Sequence, residues 1–128
     1  MPYQIQFEKI LSLGQRPRYA NDLCVGGDLI LSMLAPTLRS FYLAFESKQE
    51  DEGWRARFRD RQVHLVVLVR AVDPKAGSFD LQLSSRVSMF GIRGMATDTL
   101  ELDRLMDRVV RQLKSWSVAT LSVKRLPK

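Results

Sequence analysis

The sequence predicts an α+β domain: an antiparallel sheet of about five or six strands, run as a meander, against one long C-terminal amphipathic helix. Three observations carry this. Apolar and polar residues alternate with the period of two that a half-buried strand requires. Turns rich in Gly, Pro and acidic residues separate those runs. Near the C-terminus the apolar spacing changes to three and four, the period of a helix face.

Tyr3–Leu13 reads as the first strand, with Tyr3, Ile5 and Phe7 on one face and Gln4, Gln6 and Glu8 on the other. Gly14–Arg18 breaks it, because Gly14 and Pro17 are turn formers. Tyr19–Leu38 is open between strand and helix. Gly26-Gly27 argues against a helix through its middle, and Leu29–Ala35 is too short and too evenly apolar for its period to decide. Pro36 ends that run or starts the next element.

Phe41, Leu43 and Phe45 then alternate with Tyr42, Ala44 and Glu46, and Trp54, Ala56 and Phe58 alternate with Arg55, Arg57 and Arg59. The polar loop Lys48–Gly53 between them makes an antiparallel hairpin. Val63–Val72 is rich in β-branched residues and is expected to be buried on both faces in its middle. A turn over Asp73–Gly77 leads to a strand with Phe79, Leu81 and Leu83 inward, running on to Met89. Gly91–Met95 reads as a loop.

Asp98 and Glu101 form a capping-box variant, and Leu102, Leu105, Met106, Val109, Leu113 and Trp116 make the apolar stripe of the helix that follows. Arg104, Arg108, Arg111 and Lys114 lie on its polar side as a basic stripe. Ser117–Leu126 completes the chain as one more strand. The sheet face led by Trp54, Phe58, Phe79 and Leu81 is the expected partner of the helix stripe.

At 128 residues the chain is one domain, residues 1–128, with enough length to bury a core without covalent staples. A hydrophobic fraction of 45% and only 7 Gly and 5 Pro exclude collagen-like, low-complexity and wholly disordered chains. One Cys, Cys24, excludes an internal disulfide framework, and one His, His64, leaves no His/Cys zinc cage to build. No metal site and no cofactor are expected. No basic-then-apolar leader opens the sequence, and no apolar run approaches the roughly 20 residues of a membrane span. With a lone thiol, a cytoplasmic setting is the expectation.

The formal charge is +6 and the pI about 9.9, which favours anionic partners. The local signal is the row Arg55, Arg57, Arg59 and Arg61. Strand period places all four on one face about 6.8 Å apart, near the phosphate spacing of an extended nucleic-acid strand. Four such contacts would give a salt slope of roughly three to four. The same hairpin holds Glu46, Glu50, Asp51, Glu52 and Asp60, and residues 46–61 sum to zero charge, so a charge-paired face is the competing reading. Arg93 lies in Gly91-Ile92-Arg93-Gly94, a Gly-x-x-Gly loop ahead of a helix that can approach a phosphate.

Asp22-Leu23-Cys24-Val25-Gly26-Gly27 resembles the Asp-x-Ser-x-x-Gly signature of PilZ domains, matched at Asp22 and Gly27, with Cys24 where the family has Ser. The family's Arg-x-x-x-Arg motif is not reproduced by Arg16-Pro17-Arg18. The resemblance implies a small β-barrel closed by a C-terminal helix and a cyclic di-GMP site. Catalysis has little support: His64 has no Asp or Ser partner in a recognisable motif, Ser84-Ser85 is not in a nucleophile elbow, and no phosphate loop is present.

The expected function is therefore a non-catalytic binding module whose basic surface engages nucleic acid or a nucleotide. The alternatives are a protein-interaction, assembly or chaperone-like module, including a homo-oligomer, and a small-ligand domain of the PilZ kind.

Overall fold

The computed structural model describes residues 2–10, 19–73, 77–89, 92–96 and 99–126. The elements in chain order are β1 (Tyr3–Glu8), a 3-10 turn (Asp22–Cys24), α1 (Gly27–Phe41), β2 (Leu43–Glu50), β3 (Gly53–Asp60), β4 (Val63–Asp73), β5 (Ser78–Met89), β6 (Ile92–Ala96), α2 (Leu100–Ser115) and β7 (Ala119–Arg125). The strands form one open antiparallel sheet in the order β2-β3-β4-β5-β1-β7. β5 is long enough to hold two partners on one edge: β1 pairs residues 78–83, and β6 pairs residues 86–89.

Both helices cover the same face, α1 over β2–β4 and α2 over β5. Ile5, Phe7, Leu65, Val67, Leu81 and Leu83 point up from the sheet, and Ile30, Leu34, Leu38, Leu102, Leu105 and Leu113 point down from the helices. Each fully buried side chain of this kind contributes about 1.5–3 kcal/mol. The helices are also tied to one another, since Thr37 Oγ1 donates to Gln112 Oε1 at 3.1 Å and Arg108 Nη1 donates to the Tyr42 hydroxyl at 2.7 Å.

The α+β class and the β2–β5 meander are as the sequence predicts. The single long C-terminal helix is not: α1, of 15 residues, nearly matches α2, of 16. Gly26 does not interrupt α1 but starts it. At φ 82° it sits in the left-handed region that glycine adopts without strain, and its carbonyl accepts from Leu29 and Ile30. Pro36 lies inside the helix on its exposed side, where the carbonyl it leaves without a helical donor faces water.

Phe41 is the last residue of α1 and not a strand residue, and a bulge at Ala44, φ 57°, changes the face on which β2 continues. The hairpin turn is only Asp51-Glu52, and Gly53 closes it so tightly that a Cβ there would run into the Val69 carbonyl of β4. Gly91–Met95 is expected as a loop, but its residues from Ile92 onward form strand β6 (Ile92–Ala96), and residue 91 lies outside the described residues. Thr99 caps α2, its side chain accepting from Leu102 N at 3.0 Å, while Asp98, the expected capping residue, lies outside the described residues. Within the expected turns and strands, residues 11–18, 74–76 and 97–98 lie outside the described residues.

The PilZ-like segment folds as a local turn and not as part of a barrel. Asn21 accepts from Leu23 N, the buried Cys24 thiol donates to the Glu50 carbonyl at 3.1 Å, and Trp54 Nε1 donates to the Cys24 carbonyl at 2.8 Å. Among the described residues no helix is long and apolar enough to cross a membrane.

Candidate anion-binding site

With both helices on one face, the other face of β2–β5 is covered by neither helix. Strand parity decides what it shows. Trp54, Ala56 and Phe58 of β3 point to the helices, so Arg55, Arg57 and Arg59 point outward. The same parity turns His64, Val66, Leu68 and Arg70 of β4 outward, and Asp80, Gln82, Ser84 and Arg86 of β5.

Register then aligns them across the strands. Arg59 stands beside His64, and His64 beside Arg86; Arg57 stands beside Val66, and Val66 beside Ser84. These residues, with Glu46 from β2, line a cleft of about 300 Å³ whose wall also includes Phe58 and Leu65. A second hollow of about 240 Å³ adjoins it over Lys48 and Arg55.

The acids of the hairpin divide the arginine row. Glu50 Oε2 lies 2.9 Å from Arg55 Nε, off the N–H axis, so the contact is an ion pair and not an aligned hydrogen bond. Glu52 accepts from Arg55 Nη2 at 3.1 Å, and Glu50 also approaches Arg57 at 3.6 Å and Lys48 at 3.7 Å. Arg59 and Arg86 have no acidic partner among the described residues.

Of the residues singled out in the sequence, Arg55, Arg57 and Arg59 thus share one face, and of these three Arg59 alone has no acidic partner among the described residues. Arg61 leaves the row: it sits in the turn after β3 at φ 57°. Arg93 lies in β6 opposite Ser88 and not in a loop; its side chain lies outside the described part of the structure. In the basic helix stripe, Arg108 is spent on packing, its guanidinium 4.0 Å from the Phe41 ring centroid and bonded to Tyr42.

His64, Ser84 and Arg86 are the site residues that sequence reasoning missed. Their signal was the register of the β4–β5 hairpin, which brings His64 to Arg86. The far end of the same face is different. Asp80 is buried at 2% exposure, 2.5 Å from Arg70 and 3.1 Å from Gln4 Nε2, so acid and base cancel there.

Two phenols are perturbed, both away from the cleft. Burial, with the Asp103 carboxylate bonded at 2.6 Å, raises the Tyr3 phenol above the ordinary range. Burial raises that of Tyr42 too, against the opposing pull of Arg108.

Among the described residues the strands present no Phe, Tyr or Trp on the outer face, and no group of three His, Cys, Asp or Glu side chains could hold a metal. What the face offers is forked guanidinium donors around an imidazole, a hydroxyl and one free carboxylate. That set can grip an oxyanion bidentately. No family model, curated protein or solved structure matches the chain. The class is defined by fold and site alone: a two-layer α+β domain with a basic cleft on its open sheet face.

Proposed function

We propose that the protein binds a phosphate-bearing partner, nucleic acid or a nucleotide, in the cleft on its open sheet face, without catalysis. The observation that supports this most is the line Arg59–His64–Arg86 on three adjacent strands, its two arginines without an acidic partner among the described residues. Two guanidinium groups about 10 Å apart, at two inter-strand spacings, repel by about 0.4 kcal/mol in water. An oxyanion between them turns that repulsion into charge-assisted hydrogen bonds. The non-catalytic reading is supported by the residues directly across from His64 on both sides, which are arginines; the Glu46 carboxylate and Ser84 hydroxyl line the same cleft but are not its register partners. The buried, single Cys24 is consistent with a cytoplasmic setting.

The test is fluorescence anisotropy with labelled oligonucleotides and a fluorescent nucleotide, from low to physiological salt. Binding is expected to weaken at least tenfold in Arg59→Ala and in Arg86→Ala, and little in Arg55→Ala. Absence of binding at every salt concentration would overturn the proposal.

A second reading, assembly with another copy of this chain, is favoured by the edge of β2. Glu46, Ser47 and Lys48 are all exposed on an edge strand. Antiparallel pairing of two such edges about Ser47 sets Glu46 opposite Lys48 of the other copy, twice. Light scattering after size exclusion tests it: Lys48→Glu should dissociate such a dimer, and a wild-type monomer at high concentration removes this reading.

A further inference from the structure

We infer that the cleft takes one compact phosphate group, the phosphomonoester or diphosphate end of a small molecule, and not the phosphodiester backbone of a nucleic acid. This rests on the anion-binding reading above and narrows its ligand.

The argument is the shape of the unpaired charge. A backbone lying along β3 would need Arg55, Arg57 and Arg59 in line. Glu50 and Glu52 occupy Arg55, and Glu50 reaches toward Arg57. The free cations therefore run across the strands, from Arg59 over His64 to Arg86, and span only about 10 Å.

The cations beside them on β3, Arg57 and Arg55, are the ones that Glu50 and Glu52 approach. Glu46 stands on the β2 side opposite Arg57, and Val66 and Ser84 follow His64 and Arg86 along their strands. A polyanion leaving the cleft past β2 meets a carboxylate. One leaving along β4 or β5 meets Val66 and Leu68 or Ser84 and Gln82, and then the closed pair Arg70–Asp80.

An island of positive charge with an acidic rim suits a ligand that ends where the island ends. Ligand pockets begin at about 300 Å³, and the cleft is about that size. The missing aromatics matter as well. Single-stranded nucleic acid is held largely by base stacking on successive rings, and among the described residues the outer face offers no Phe, Tyr or Trp, only the His64 imidazole. The free carboxylate of Glu46 and the hydroxyl of Ser84 instead suit the hydroxyl groups of a sugar attached to the phosphate.

The experiment compares three probes on the full chain: ADP, a short oligonucleotide bearing a terminal phosphate, and the same oligonucleotide dephosphorylated. The inference expects ADP to bind at one site per chain with a shallow salt dependence. It expects the terminal phosphate to improve oligonucleotide binding at least tenfold, and Arg59→Ala or Arg86→Ala to abolish that difference while leaving the unfolding midpoint unchanged. His64 is the only histidine, so its imidazole NMR signals should move on ADP addition. If the dephosphorylated oligonucleotide binds as tightly as its phosphorylated twin, with a steep salt slope, the compact-ligand inference falls and the anion-binding reading stands. If none of the probes binds, both fall.

Discussion

Removing Arg70 should cost far more than removing the charge of its partner Asp80, and the structure fixes the sense of that asymmetry. Asp80 is 3% exposed at its side chain, whereas Arg70 is 31% exposed. Its Oδ2 takes both Arg70 Nη2 at 2.5 Å and Gln4 Nε2 at 3.1 Å, and Oδ1 has no hydrogen-bond partner among the described residues. Arg70→Met therefore leaves a buried carboxylate with one neutral donor, a loss of about 3–5 kcal/mol by the pattern of broken buried pairs. Asp80→Asn leaves a guanidinium that can rehydrate, and keeps a side chain able to meet Gln4, so about 1–2 kcal/mol is expected. The double variant should fall well short of the sum, with a coupling of about 2 kcal/mol. Urea unfolding measures all three. With a slope of about 1.5 kcal/mol per molar, Arg70→Met should lower the midpoint by about 2 M or more. Equal losses in the two single variants, or strict additivity in the double, would refute the reasoning.

Three further outcomes follow from single contacts. Gly27→Ala should cost about 1–3 kcal/mol and change tryptophan fluorescence, because the new methyl would meet Trp54 Cδ1 at 2.7 Å and push the indole off its bond to the Cys24 carbonyl. Thr99→Ala should cost about 1 kcal/mol, read as a lower thermal midpoint, since it removes the bond to Leu102 N and the one to Ser85. In an alkaline titration followed by phenolate absorbance, Tyr42 should ionise above the ordinary value of 10.0 because burial favours its neutral form. Its contribution to stability is complete below that value and is lost as pH rises through the higher folded value, so Tyr42→Phe should flatten the alkaline fall in stability.

How much of this was legible in the sequence depends on how locally each feature is decided. The inward faces of β3, β4 and β5 were legible because period two is a property of the strand itself. The α2 stripe was legible for the same reason, with Leu102, Leu105, Val109 and Leu113 buried as its spacing requires. The nature of α1 was not. Its glycine pair reads as a breaker unless one knows that Gly26 takes a left-handed conformation at the cap, and its evenly apolar run hides the period.

The alternation from Phe41 to Glu46 misled for a different reason: helix end, strand start and a bulge fall within six residues, and each resets the face. β6 depends on β1 stopping short at Leu83, which leaves part of β5 free to pair, a fact far away in sequence. The site divides the same way. Three arginines on one face follow from parity alone, and the zero charge of the hairpin already warned that acids would claim some of them. The partnership of Arg59 with Arg86 depends on the register of two hairpins and could not be read from either strand.

The two ends of the outer face make opposite use of the same strands, and one substitution separates stability from binding. Toward Arg70 and Asp80 each charge is matched and the acid is sealed from water, which favours a fixed fold. Toward Arg59 and Arg86 the charges meet no acid among the described residues, which costs the fold little and leaves them available. Ser84→Glu would bring the chemistry of the first end to the second. On β5, two residues before Arg86 and on the same face, the new carboxylate comes within reach of that guanidinium. An exposed pair of this kind contributes at most about 1 kcal/mol, so the unfolding midpoint should hold or rise slightly. Anion binding should fall at least tenfold, because the cleft would then carry its own anion. A variant that loses binding together with its fold would show that Ser84 packs where the structure leaves it half-exposed. A variant that keeps full affinity would place the ligand elsewhere on the surface, since no oxyanion between Arg59 and Arg86 could ignore a carboxylate beside it.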